Sequence, residues 1–459
     1  TVPRLTFANS SDPDVESDLT VSERLDVRAE ANIGAGSTTS DSLFATGDVI
    51  LRANPAFSNG AGASFVSDDA SIELTTSSEI DNFAVDGTVG TSTIRSDDPD
   101  TDRRLSVTKF SLAAGEIDIG DNDLRLTGES EAFNYDEGVI TAGDGEIELE
   151  DSNPGNSNDL TFQLADAPTI PNLEVLADAS IGDDGVNVRI GDEIELDAEF
   201  DATGDGGDVV MTDGSTVQRL PGTTVNDGIG LTEALVADGR YNVTYGDGSD
   251  VQNNNPTQDA RSYDSGFELD SDSVSTLTVN TGLVIDDDDD DAVEGGGVYL
   301  DSNTNVLTGP VTVEALDLDS GVLDYGRQVV IAENGEVRRS AGELGDARNE
   351  TADNDSDQPG VLDPEGFYTL IYDGTSTIEA DPREFVQPDN MALETNLGNS
   401  RFNTDGNVDI PFSRTVQTFL ADNNTSGSTV GFVAGGTPQT LTVLGDATVQ
   451  GGEVDAGLL

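Results

Sequence analysis

The sequence predicts an all-β chain built as an irregular β-solenoid, and three observations carry that reading. Apolar and polar residues alternate with period 2 in short runs such as "LTVSERLDV", "GEIEL", "YNVTY" and "LTVNTGLVI". Gly, Asn and Asp punctuate these runs roughly every eight to fifteen residues, the spacing of strands and tight turns. One strand–turn–strand unit also recurs along the chain at irregular intervals.

Alternation matters because successive side chains of an extended strand point to opposite faces, so each run has one apolar face to bury. No stretch sustains a helical period. The best helical candidate, "GLTEALVADG" at 230–239, supports one short element at most. The recurring unit is clearest in "LSVTKFSLAAGEIDIG" (105–120) and "VTVEALDLDSGVLDYG" (311–326), which align without a gap. "LTVLGDATVQGGEVDAG" (441–457) repeats the pattern with one extra residue, so that Gly452, Val454, Asp455 and Gly457 take the same roles. Segments 19–27, 173–181 and 277–285 share its first half. Its central Gly permits a sharp turn that a Cβ would obstruct, and the apolar-Asp pair after it starts the next strand with the carboxylate outward. One unit cannot bury its apolar face alone, whereas stacked copies make a continuous core.

These coils divide the chain into a β-repeat region over 1–160, a repeat start with an insertion or sandwich-like module over 161–275, and a second β-repeat region over 276–459. Stretches 185–265 and 340–440 fit the repeat poorly, and insertions or immunoglobulin-like β-sandwich modules would suit either. The last copy stops at "GEVDAGLL" and the first residues, "TVPRLTF", begin in mid-strand. Both ends predict either a longer natural chain or end-to-end strand pairing between subunits.

"LTVLGDATVQGGEVDAG", "LEVLADASIGDDGVNVRIGD" and "FSLAAGEIDIGDNDLRLTG" resemble the coils of secreted right-handed β-helix repeat proteins, with the architecture of pectin-lyase-like folds. These are large surface and exported proteins of bacteria, including salt-adapted Bacteroidota, and the resemblance covers about half of the chain. Archaeal surface-layer glycoproteins are a weaker likeness. The resemblance implies a cell-surface, adhesive or envelope role, with a minority of such proteins acting on polysaccharide.

Charge points to the solvent. The chain carries 91 acidic and 20 basic residues for a net charge of -71, yet 35% of it is apolar and 51 residues are Gly, so it can bury a core. Lys109 is the only lysine among the basic residues. High acidity with almost no lysine fits strong salt, where a Debye length of roughly 3 Å at 1 M screens self-repulsion. An extreme halophile is the expected source. Nucleic acid is excluded as a partner by the sign of the charge, and no apolar run reaches the roughly 20 residues of a membrane span.

The absence of His and Cys excludes Ser-His-Asp and Cys-His catalysis and ordinary zinc sites. No phosphate loop of the G-x-x-x-x-G-K type occurs. Pairs of carboxylates suited to glycoside hydrolysis will arise by accident in so acidic a chain, so the expectation is no enzyme. Lys109 could in principle join a Lys–Asn crosslink, but a solvent-facing residue is the preferred reading. Calcium is the cation to consider. Asp286, Asp287, Asp288, Asp289, Asp290 and Asp291 form an unbroken run after a repeat strand, and "DNDSD" places Asp353, Asp355 and Asp357 at positions 1, 3 and 5 of a calcium loop. That loop then fails at Gln358 and Pro364. A hydrated turn is preferred for both stretches, with Ca²⁺ collection second. Sequons at Asn9, Asn242, Asn349, Asn354, Asn423 and Asn424 would accept glycans in a secreted chain.

The leading expectation is an extracellular structural protein that assembles with copies of itself through β-strand edges into a filament, surface layer or adhesive stalk. A carbohydrate-binding or carbohydrate-cleaving β-helix, meeting surface polysaccharide, is the alternative. A capsid or spike subunit of a halophilic virus is the third.

Overall fold

In a computed structural model of the 459-residue chain, residues 1–8, 14–15, 17–33, 41–59, 63–98, 101–128, 131–150, 160–181, 186–196, 198–201, 207–219, 230–231 and 235–245 are described. So are 262–264, 274–280, 285–286, 293–294, 297–299, 311–320, 322–324, 329–340, 343–344, 362–374, 377–379, 384–385, 391–397, 407–410, 412–422, 429–434, 437–450 and 453–456. They contain strands and no α-helix, and the strands stack in parallel as a β-solenoid of about 10 turns. The helical candidate at 230–239 resolves into strands Gly230–Leu231 and Val236–Asp238, because Val236 pairs with Val210 and the ladder overrides a short helical preference. Two units emerge, one of Thr1–Ser215 with Gly228–Asp238, the other of Thr216–Asp227 with Gly239–Leu459.

In the first unit a coil has three strand segments, and the ungapped repeat is one such coil. Strand Arg104–Asp118 contains all three, with register partners at Leu124, Phe133 and Ile140 for Leu105, Phe110 and Ile117. Gly115, which separates two of the segments, has φ +87, and a Cβ there would lie 2.2 Å from the Gly87 carbonyl oxygen. Gly120, at the next corner, has φ +60. Both shared glycines of this copy are therefore conformational requirements. Beside that corner, buried Asn122 donates to the carbonyls of Ile94 and Ile119 and accepts from the Arg103 amide, so the corner backbone is not left unpaired.

Between local register shifts, such as those at 85–91 and 170–172, parallel register turns alternation into columns. Phe57, Ile80, Val107, Leu126, Leu149, Val175 and Leu196 are successive partners facing inward, all buried. A second column is aromatic: Phe65, Phe83, Phe110, Phe133 and Phe162 are successive partners. From Phe57 to Phe133 neighbouring rings stack at 5.0–5.8 Å, and Phe133–Phe162 and Phe162–Phe200 meet edge-on at 5.2 and 5.9 Å. Such pairs add about 0.5–1.5 kcal/mol each beyond the burial of the rings.

The second unit repeats the logic with other residues. Leu277, Leu316, Val337, Leu370, Leu393, Phe419 and Ala447 follow one another in register, and all but Ala447 are buried. A second ladder joins Ser262–Asp264, Gly297–Tyr299, Val322–Asp324 and Glu343–Leu344, and a third joins Thr377–Glu379, Asn407–Asp409, Thr429–Ala434 and Glu453–Ala456. Described strands in 185–265 and 340–440 pair predominantly in parallel, as coils do; the antiparallel pair Thr429–Ala434/Thr437–Pro438 is local.

Candidate functional site

The most organised polar surface lies on the first unit, built by the alternation that fills its core. Residues between inward positions form two outward files across adjacent rungs. One runs Arg104, Asp123, Glu146, Asn172, Glu193; the other runs Ser106, Arg125, Glu148, Glu174, Glu195. Glu148 is the pivot, 3% exposed, accepting from Arg104 Nη2 at 2.6 Å and from Arg125 Nε at 2.5 Å. Arg125 also pairs with Glu150.

Around this anchored carboxylate the other acids are crowded. Burial, then the Glu148 charge, pushes Asp123 above the usual aspartate range, against the opposing pull of Arg104. Glu146 is raised by burial and then by Asp123, Glu148 and Glu193. Burial, then Asp192, raises Glu193. The patch pairs one carboxylate clamped by two guanidinium groups with three that favour holding a proton. A second polar anchor is built in the same way, from one carboxylate and two arginines. Asp26, 4% exposed, sits between Arg28 at 2.7 Å and Arg52 at 3.1 Å. Burial alone would raise its carboxyl, but hydrogen bonds from the two arginines outweigh burial and hold it below the usual range.

Of the sequence-predicted site residues, Asp286 and Asn242 are described. Asp286 ends strand Ile285–Asp286, which pairs antiparallel with Val293–Glu294; Asp287, Asp288, Asp289, Asp290 and Asp291 lie outside the described residues. Asp353, Asp355 and Asp357 lie outside them too, as do Asn9, Asn349, Asn354, Asn423 and Asn424. Asn242 stands in strand Tyr241–Tyr245 between buried Tyr241 and Val243, on the outward side and partly exposed. Among the described residues no group of three or more acidic side chains is arranged to hold a metal ion. Lys109 pairs with Glu131 at 3.0 Å, with both side chains substantially exposed. Among the described residues no helix is long and apolar enough to cross a membrane.

Two features escaped sequence reasoning. One is the aromatic column. The other is a buried polar cluster in the second unit: Arg339 (4% exposed) pairs with Glu384 (0%) at 2.6 Å, Tyr372 donates to the same carboxylate, and Tyr368 donates to the Glu384 carbonyl at 2.8 Å. A charge at an alternation position reserved for apolar residues was the available signal, since "VRR" puts Arg339 in step with Val337.

In the second unit, strand Ala447–Gln450 pairs with Thr418–Asp422. Its residues are exposed, including Val449 at 54%, and Leu444 just before it is 56% exposed. One rung earlier the equivalent inward residues, Phe419 and Ala421, are buried. No protein-family model, no curated protein and no solved structure matches this chain.

Proposed function

We propose that this chain is a structural protein working outside the cell in strong salt, and that it assembles with copies of itself by adding rungs at β-strand edges. The observation that carries the reading is the parallel ladder itself, in which strand after strand of the second unit pairs at the edge of the one before. A strand edge of such a ladder is a template for a strand of another chain. A second copy is the proposed occupant. The net charge of -71 makes contact between copies costly in dilute buffer and tolerable once salt screens it. Turnover is not part of the proposal: the polar patch around Glu148 is read as a hydrated, arginine-braced outer face.

Electron micrographs and light scattering of the purified chain in molar NaCl test this reading. Filaments or sheets are expected in molar NaCl, and the same chain in dilute buffer should keep its strand signal by circular dichroism while staying monodisperse. Monodisperse particles in molar NaCl, or assembly indifferent to salt, would sink it.

A further inference from the structure

We infer that the Arg339–Glu384 ion pair is a clasp that fixes where the segment carrying Glu384 and Phe385 docks inside the second unit. Strand register leaves Arg339 in an awkward place. Its partners on adjacent rungs are Leu318 and Tyr372, so neither register partner of this inward guanidinium supplies a carboxylate. A charge left that way is expensive in a dry interior. The compensating carboxylate comes from Glu384, which lies in no strand and is 45 residues away in sequence.

Both carboxylate oxygens are used. Oε1 accepts from Arg339 and Oε2 from the Tyr372 hydroxyl, while the Tyr368 hydroxyl reaches the Glu384 carbonyl and lies 3.4 Å from Met391 Sδ. Next in sequence, Phe385 is 4% exposed and meets Phe412 edge-on at 5.2 Å. A shift of one residue would bring Phe385 to the guanidinium and strand the carboxylate, so only one docking position satisfies every group. Buried ion pairs add little stability over apolar residues of the same size, whereas losing one partner is severe. The clasp therefore selects a position more than it adds stability. Buried from solvent, it also escapes the salt screening that weakens exposed pairs.

Hydrogen exchange of the full chain, read on the peptide containing Glu384 and Phe385, tests the clasp. Glu384→Gln should speed exchange there about 100-fold. The double variant Arg339→Met/Glu384→Leu should unfold in urea at or above the natural midpoint, yet its peptide should still exchange at least ~10-fold faster than the natural one. In the natural chain, exchange of this peptide should change less than about twofold from low salt to 3 M NaCl. Unchanged exchange in Glu384→Gln overturns the clasp. So does a double variant that recovers natural protection, which would mean apolar packing alone seats the segment. If Glu384→Gln does not fold, the double variant and the salt series decide the matter.

Discussion

The two units use the same parallel ladder and fill its interior in different ways. In the first, Phe65, Phe83, Phe110, Phe133 and Phe162 stand in register and make an apolar column. In the second, an inward position holds Arg339, answered by Glu384 and two tyrosines. The ring column tolerates any rung that brings another flat apolar group into line, so it rewards stacking generally. The ion pair rewards one arrangement and penalises all others. Backbone register thus sets where side chains point, and interior chemistry sets how uniquely a coil closes.

The largest expected effect comes from breaking the column. Phe110→Ala removes a ring stacked on both sides, at 5.5 Å on Phe83 and 5.6 Å on Phe133. A loss of about 3–5 kcal/mol is expected from urea unfolding of the first unit. A loss under about 1 kcal/mol would mean that the column packs loosely.

Next comes the outer brace. Glu148→Gln weakens two charge-assisted hydrogen bonds and should cost about 1.5–3 kcal/mol in the same experiment. An unaltered midpoint would show that Arg104 and Arg125 find other acids at no cost.

A pH series separates the two kinds of carboxyl in the first unit. Asp123, Glu146 and Glu193 are raised in the fold, so their contribution is fully present below the ordinary values of 3.8 and 4.5 and is lost as pH rises through their folded values. Asp26 is lowered, so its contribution is present above 3.8 and is lost as pH falls through its lower folded value. Melting temperature in constant molar salt should accordingly rise on mild acidification from neutrality and turn down at strongly acid pH. Glu146→Gln should flatten the rise. A steady fall from neutrality would contradict these assignments.

The smallest effect belongs to the lone lysine. Its pair with Glu131 is solvent-facing, and Lys109→Gln should change stability by less than about 1 kcal/mol. The same urea unfolding reads it, and a larger loss would mark Lys109 as more than a surface residue.

Much of the fold was legible because its causes are local. Alternation marked the strands, and repeat glycines 115 and 120 marked corners that only a left-handed backbone can turn. The aromatic column was hidden because coil lengths vary: its phenylalanines are 18 to 29 residues apart, so no fixed period announces them. The Arg339–Glu384 pair was hidden for a related reason, since nothing local joins residues 45 apart. The outer patch was half visible. Its acids are plain in the sequence, but only rung stacking brings Arg104 from a strand two rungs away onto Glu148.

Hydrogen exchange of Phe110→Ala tests the central claim, that stacked columns within each unit carry the fold, most directly. Protection should fall in the strands around 83–85, 110–112 and 133–135 and fade with distance along the first unit, while strand Tyr368–Gly374 of the second keeps its natural protection. Equal loss in both units, or none at 133–135, would contradict it.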